Sequence, residues 1–154
     1  MSIPMLRGLA AALITCAWLS PAAGAQGSNE QVSALQRLEQ FEDVFERCSA
    51  DLLHEITAGH WAGFGVRGQL GTDKAYAIDQ FRSLCEGGSA FQFEASVSQY
   101  WTVGQVHTIA AIFSGVMIRP DGQRVPNNLR VSLVIAPDES GTLLLQHTHV
   151  SALN

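Results

Sequence analysis

The sequence predicts an α+β domain in which three helices pack against one face of a curved antiparallel sheet. Apolar residues recur every three or four positions in the first half of the chain and every second position in the last third. Helices followed by consecutive strands are typical of this class. The 154 residues are 47% apolar and 15% charged, which is enough apolar material for one core. Nine basic residues are spread along a chain of net charge −5, which argues against nucleic acid as a partner.

Residues 1–25 have the three-part pattern of a signal peptide. Arg7 is the early positive charge, an uncharged and mostly apolar run covers 8–19, and Ala23-Gly24-Ala25 resembles a cleavage site. The apolar run is shorter than the roughly 20 residues of a membrane-spanning helix. We therefore expect cleavage near Ala25 and a periplasmic or secreted domain at 26–154. An N-terminal membrane anchor and a lipoprotein modified at Cys16 are the alternatives.

Two cysteines, Cys48 and Cys85, follow the predicted leader. An even pair in an oxidising compartment is typical of a disulfide, which would be worth about 4 kcal/mol for a loop of this length. Two free buried thiols are the alternative, because sequence alone does not show that the Cα atoms approach within about 7 Å. The absence of a C-x-x-C spacing makes zinc a weak interpretation.

Three helices are predicted from periodicity and capping residues. The first covers 28–47, and the second covers 50–57, with Ser49 as its N-cap and Gly59 ending it. The third begins after Thr72 or Asp73 and stops at Gly87-Gly88. Between the second and third helices, 60–67 form a short strand or an irregular edge.

Alternation then predicts a meander of long strands. Phe91, Phe93, Ala95 and Val97 share one face of the first strand, which continues to about residue 102. Further strands cover 106–119, 128–136 and 142–153, separated by turns at Pro120–Gln123 and Pro137–Gly141.

The chain resembles the nuclear transport factor 2-like superfamily, particularly its SnoaL-like members. The segments that carry the resemblance are GVRGQLGTDKAYAI at 65–78, IRPDGQ at 118–123 and LRVSLVIAPDESGTLLLQHTHVS at 129–151. The last segment is also similar to the association domain of calcium/calmodulin-dependent kinase. The resemblance implies a cone-shaped, cystatin-like α+β fold with a pocket between sheet and helices, and a homodimer through the outer sheet face.

By analogy with the kinase association domain, strand parity implies which residues face the pocket. The implied inward sets on the last three strands are Phe113, Gly115 and Met117; Arg130, Ser132 and Val134; and Leu144, Gln146, Thr148 and Val150.

Arg130 is the candidate anchor for a carboxylate or another anion, because a guanidinium facing an apolar pocket stays charged and needs a partner. Pairing with Glu94 or extension to the rim are the alternative interpretations. The remaining ligand-binding candidates are Trp61, Phe64, Tyr100, Trp101, Phe113, Met117, Gln146 and Thr148, of which the aromatic residues could equally be ordinary core.

His60 and His147 are the candidate acids or bases, because imidazole titrates near neutral pH. Ketosteroid isomerases of this superfamily place a Tyr on the first helix and an Asp in the loop after the helices. Here the first helix has Phe41 and Phe45, and no Asp occurs between positions 54 and 72, which makes that chemistry doubtful. His147 and His149 could bind a metal but lack a third ligand of diagnostic spacing. The strand parity given above puts these two histidines on the outer, dimer-forming face with Leu143 and Leu145, and His147 is a candidate base only if that parity is wrong.

The sequence thus predicts an exported domain that binds a small, partly apolar molecule, for which a carboxylate is one candidate polar group. A cyclase, isomerase or dehydratase that uses a pocket His is one alternative, and a non-catalytic dimerisation module is another. No cofactor motif is present in the sequence. We expect no nucleic-acid partner and no membrane association after leader cleavage.

Overall fold

A computed structural model describes residues 21–65, 70–71 and 73–153, with the backbone alone for 21–28, 64 and 70–71. The elements are α1 (Pro21–Glu46), α2 (Ala50–Ile56), β1 (Thr57–Phe64), β2 (Leu70–Gly71), α3 (Lys74–Glu86), β3 (Ala90–Val103), β4 (Val106–Ile118), β5 (Arg124–Pro137) and β6 (Leu143–Ala152). Within these ranges, no helix combines the length and apolar character needed to cross a membrane. Most of the predicted leader, residues 1–20, lies outside the described residues.

The sheet is mixed rather than purely antiparallel. Its strand order is β2-β1-β6-β5-β4-β3, and β1 runs parallel to β6 while every other pair is antiparallel. The prediction of an antiparallel meander is confirmed for β3 to β6. β1 was not part of the predicted meander, and it runs parallel to β6 because the chain passes through α3 and β3 to β5 before it returns beside β1.

The helix ends follow from capping chemistry. The Ser49 hydroxyl accepts a hydrogen bond from the Leu52 N–H at 3.1 Å, as predicted, and the Asp73 carboxylate accepts one from the Ala75 N–H at 2.8 Å. Two boundaries differ from the prediction. The first helix begins at Pro21 instead of residue 28, and α2 ends at Ile56, one residue before its predicted end, because β1 starts immediately at Thr57.

The centre of the domain is a cluster of phenylalanine rings between α1 and the sheet. The ring of Phe45 lies 5.3–6.2 Å, centroid to centroid, from five others: Phe41, Phe81, Phe91, Phe93 and Phe113. Most of these contacts are edge to face, which is a favourable arrangement for aromatic pairs. The middle of the domain is therefore packed, and open space lies to one side of it.

A disulfide joins the end of α1 to the last turn of α3. Cys48 and Cys85 are bonded with Cα atoms 5.6 Å apart, so the pairing that the sequence left open is present. Cys48 has a positive φ of 48°, which lets the chain leave α1 and turn into α2. Besides the disulfide, α3 is attached through its buried residue Ile78 and through Phe81, whose ring belongs to the phenylalanine cluster.

The register of β5 places its odd-numbered residues on the helix-facing side. Phe113 lies opposite Leu129, and residues directly opposite in an antiparallel pair share a face. Leu129, Val131 and Leu133 are accordingly buried, each no more than 2% exposed. The predicted inward orientation of Arg130, Ser132 and Val134 is therefore wrong.

Candidate functional site

A cavity of about 230 Å³ lies beside the phenylalanine cluster, between α1, α3, β1 and β6. Its walls are predominantly apolar. The described lining residues are Phe41, Val44, Phe45, Leu53, Trp61, Gly63, Gly65, Tyr76, Ala77, Gln80, Phe81, Thr148 and Val150. Tyr76, Gln80 and Gly65 are exposed to solvent, so the cavity opens near the start of α3.

The wall formed by β1 alternates one large side chain with two glycines. Trp61, Gly63 and Gly65 are spaced by two, as residues on one face of a strand are. A Cβ atom on Gly63 would lie 2.8 Å from Trp61 Cζ2, so the indole lies over this glycine and occupies the space that a side chain would fill. A Cβ atom on Gly65 would meet nothing within 4 Å among the described residues.

Two polar groups are set in this apolar wall. Trp61 is 6% exposed, and its Nε1 is buried with no hydrogen-bond partner among the described residues. Thr148 is 3% exposed and lies opposite Gly63 in the parallel β1–β6 pair. The Thr148 hydroxyl oxygen lies 2.9 Å from the same point that a Gly63 Cβ would occupy, so the indole and the hydroxyl are neighbours.

The cavity is uncharged over its described lining. None of those residues is an Asp, Glu, His, Lys or Arg. Transfer of a charged ligand group from water into such a site is strongly unfavourable without a partner charge. The same part of the chain has no group of three or more His, Cys, Asp or Glu that could hold a metal ion.

Of the predicted ligand-binding residues, Trp61 and Thr148 line the cavity. Phe113 is fully buried in the phenylalanine cluster, and Met117 packs against the core opposite Phe91. These two residues have the predicted inward orientation but belong to the core instead of the cavity wall. Phe64 pairs with His149 through its backbone, and its side chain lies outside the described residues.

Tyr100 and Trp101 lie away from the cavity. An irregularity between Val97 and Gln99 shifts the alternation of β3, which leaves Tyr100 facing the helices and Trp101 on the outer face, 45% exposed. The Tyr100 hydroxyl lies 2.7 Å from His107 Nδ1. His107, which is 1% exposed, borders a separate polar cleft of about 610 Å³ near Arg37.

Gln146 is displaced from the cavity by a second irregularity. Ile135 pairs with Leu145 and Val134 pairs with His147, so Gln146 is the extra residue of a bulge. Its Nε2 donates to the Ala136 carbonyl at 3.0 Å. The predicted inward position is therefore wrong for Gln146, whereas Thr148 and Val150, which follow the bulge, do face the cavity.

Arg130 lies on the outer face of the sheet and is exposed. Its direct neighbours there are Ile112 on β4 and Ser151 on β6. The predicted orientation came from the analogy with the kinase association domain, and a shift of one residue in register moves every side chain of a strand to the other face. Arg130 therefore does not anchor a ligand in this cavity.

The two candidate catalytic histidines also lie outside the cavity. His60 is exposed in a polar groove that also contains Asp73, Lys74 and Arg82. In that groove Lys74 Nζ donates to the carbonyls of His54 and Thr57, at 2.8 Å and 2.7 Å, and partial burial lowers the pKa of this amine. Neither His60 nor His147 is placed to act on a molecule in the cavity.

The histidines of β6 lie on the outer face of the sheet. His147 pairs with Val134 and His149 pairs with Ser132, and both partners are on the outer face. This is the parity expected from the interface interpretation. Leu145 is instead fully buried in the core and Leu143 packs against the core, so the predicted outer-face position of these leucines is wrong.

Several wall residues were missed by the sequence analysis, above all the glycines of β1 and the residues Tyr76 and Gln80 of α3. The Trp-x-Gly-x-Gly spacing at 61–65 was an available signal, because glycine on the inner face of a strand leaves room for another group.

Solved structures resemble the whole fold at low sequence identity. A nuclear transport factor 2-like superfamily protein from Salmonella enterica serovar Typhimurium superposes with a TM-score of 0.72 at 14% identity, covering 83% of this chain and 94% of that one. A ketosteroid isomerase-like protein from Erwinia carotovora gives a TM-score of 0.69 at 12% identity, covering 80% and 93%.

A putative calcium/calmodulin-dependent protein kinase type II association domain from Thiobacillus denitrificans gives a TM-score of 0.62 at 15% identity, covering 77% and 93% of the two chains. No family model matches the sequence, and no curated protein matches it. The structural matches show that the chain has the nuclear transport factor 2-like, cystatin-like α+β fold.

Proposed function

We propose that this protein is an exported domain that binds a small, largely apolar molecule in the cavity between α1, α3, β1 and β6. The observation that carries the proposal is the cavity itself, which keeps about 230 Å³ open beside a densely packed core. Ligand sites are typically concave and mostly apolar, with a few placed polar groups, as this cavity is. The volume suits a compound smaller than a typical drug.

The residues that line the cavity favour ligand binding over catalysis. Acid–base chemistry in an apolar pocket needs a carboxylate or an imidazole within reach of the substrate. The described walls provide neither, and His60 and His147 lie elsewhere. The fold by itself does not decide between the two activities, because one fold hosts many functions.

Export is supported by the leader pattern at 1–25 and by the disulfide. Structural disulfides persist in oxidising compartments and are rare in the cytosol. Expression of the full chain in a bacterial host, followed by mass measurement of the periplasmic fraction, tests this part of the proposal. The expected N-terminal residue is Gln26, and an uncleaved cytoplasmic product would contradict export.

A homodimer through the outer sheet face is also part of the proposal. That face carries the exposed Trp101 together with half-buried Ile112 and Val134. Apolar residues grouped on a sheet face favour association with another surface.

The cavity is tested with the neutral bicyclic hydrocarbon tetralin as probe and two leucine substitutions, one in β1 and one directly after it. Gly65→Leu introduces a side chain at the cavity wall, where a Cβ meets nothing within 4 Å, so the fold tolerates it. Gly59→Leu makes the same change at an equally open position outside the cavity. Calorimetric titration should show tetralin binding to the wild type and to Gly59→Leu, and at least tenfold weaker binding to Gly65→Leu. Absence of binding to the wild type, or equal binding to both variants, would contradict the proposal.

A further inference from the structure

We propose that the molecule bound in this cavity is neutral and carries a carbonyl oxygen that accepts a hydrogen bond from Trp61 Nε1–H, with the Thr148 hydroxyl beside it. This inference rests on the proposed function and names the chemical class of the ligand. It depends on three features of the wall: an unpaired donor, a neighbouring hydroxyl and the absence of charge from the described lining.

The unpaired donor is the indole N–H. Indole can donate a hydrogen bond but cannot accept one, so its partner must be an acceptor atom. Buried Trp N–H groups usually have such a partner, and a buried donor without one is strongly unfavourable. Trp61 is 6% exposed, and the structure gives its Nε1 no partner among the described residues. An acceptor on the ligand would satisfy this group.

The neighbouring hydroxyl is placed by the parallel pairing of β1 with β6. Gly63 and Thr148 are directly opposite, and Trp61 precedes Gly63 by two residues on the same face. The Gly63 position lies 2.8 Å from Trp61 Cζ2 and 2.9 Å from the Thr148 hydroxyl oxygen, measured from an ideal Cβ. The part of the indole nearest this point is its Cζ2–Cη2 edge, and Nε1 is two bonds away from Cζ2. A carbonyl oxygen has two lone pairs and can accept from both groups.

The lack of charge selects a neutral ligand. A carboxylate would need a cation in the wall, and a protonated amine would need an acid. The described lining has neither, and Arg130, the residue expected to bind a carboxylate, lies on the outer face. A ketone or an ester keeps a strong acceptor without the desolvation of a full charge.

The test compares α-tetralone with tetralin, which share a bicyclic skeleton and differ by the carbonyl group. Binding of both probes is measured by calorimetry on the exported full-chain protein and on Trp61→Phe, which removes the N–H but keeps an aromatic ring. The ratio of the two dissociation constants is compared between each variant and the wild type. This comparison cancels the difference in hydrophobicity between the two probes. We expect this ratio to shift about tenfold against the ketone in Trp61→Phe, and severalfold in the same direction in Thr148→Val.

Trp101→Phe is the matched control, because it makes the same change at an exposed position on the outer face. Its ratio should equal that of the wild type. A direct readout comes from the indole resonances in a proton–nitrogen correlation spectrum, where the Trp61 signal is the one that is lost in Trp61→Phe. α-Tetralone should move the Trp61 N–H signal downfield, and tetralin should leave it near its free position.

The outcomes separate this inference from the proposed function. If both probes bind, Gly65→Leu blocks both, and Trp61→Phe leaves the ratio and the indole signal unchanged, the cavity binds ligands but the carbonyl assignment is wrong. If neither probe binds the wild type, the proposed function is wrong, and the carbonyl assignment is wrong with it. Tighter binding of the carboxylate analogue of tetralin than of the ketone would overturn the neutral class.

Discussion

Thr148 on β6 lies directly opposite Gly63 on β1, and the Thr148 hydroxyl oxygen is 2.9 Å from the point where a Cβ atom on Gly63 would sit. Cζ2 of the Trp61 indole is 2.8 Å from the same point. Glycine is required at position 63 because a side chain has no room between these two groups, and not because of its backbone conformation. The cavity wall therefore depends on the absence of one methyl group.

Gly63→Ala is expected to destabilise the protein by about 1–3 kcal/mol, because the added methyl group forces the indole or the β6 backbone to shift. Urea unfolding measures this as a lower midpoint at an unchanged slope. Gly65→Ala is the matched control, since its Cβ meets nothing within 4 Å, and should change stability by less than about 0.5 kcal/mol. Equal urea midpoints for the two variants would show that the cavity wall accommodates the methyl group on residue 63 without loss of stability.

Loss of the Cys48–Cys85 disulfide is expected to lower the free energy of unfolding by about 4 kcal/mol, given a separation of 37 residues. The double variant Cys48→Ala, Cys85→Ala should also bind tetralin more weakly, because α3 forms part of the cavity wall and has one buried residue of its own. Addition of a reductant should destabilise the wild type and leave the double variant unchanged. A wild type that is insensitive to reductant and as stable as the double variant would contradict this role.

The turn after β5 should respond to acid through Asp138. The Ser140 hydroxyl donates to this carboxylate at 2.6 Å and the Thr142 N–H donates at 2.9 Å, and these bonds lower the pKa of Asp138 below its ordinary value of 3.8. Because the folded pKa is the lower one, the contribution to stability is present above pH 3.8 and is lost as the pH falls through the folded pKa.

Carboxyl chemical shifts followed from neutral to acidic pH measure this directly. The midpoint for Asp138 should lie below 3.8 in the wild type and move upward in Ser140→Ala, which removes the largest cause of the shift. Identical midpoints in the two proteins would show that the hydroxyl does not stabilise the charged form.

The outer sheet face is expected to hold two copies together. Val134→Arg puts a charge among Thr108, His147 and neighbouring apolar groups at the middle of this face, and should convert a dimer to a monomer. Asn128→Arg is the control, because it lies on the same strand and face at an exposed position near the end of the sheet. Light scattering at micromolar concentration reads out the mass, and a monomeric wild type would remove the dimer from the proposal.

Local signals predicted most of the elements correctly. Ser49 and Asp73 cap α2 and α3, and Gly88, with a φ of 86°, follows the end of α3. Side-chain capping and glycine turns depend on residues within four positions of each other, so the sequence states them directly. The start of α1 was misplaced by seven residues and the end of α2 by one, because neither Ser28 nor Gly59 marks the boundary of its helix.

Orientation failed where it was carried over from the kinase association domain and where a bulge interrupts the alternation of a strand. The inward face of β4 was predicted correctly at Phe113, but the face of β5 was inverted, so Arg130 was expected inside and lies outside. The bulge at Gln146 also moved Leu145 from the outer face to the core. Strand alternation has a period of two, so an error of one residue in the register reverses every assignment that follows.

The sequence by itself determined the class of fold, the helices, the long strands and the presence of a cysteine pair, because these follow from periodicity, capping and composition. Only the tertiary structure decided that β1 pairs in parallel with β6, and hence that Trp61, Gly63 and Thr148 meet at one cavity wall. The residues of that wall are separated by more than eighty positions in the chain. Their meeting depends on strand register and on packing against α1 and α3, which no local pattern contains.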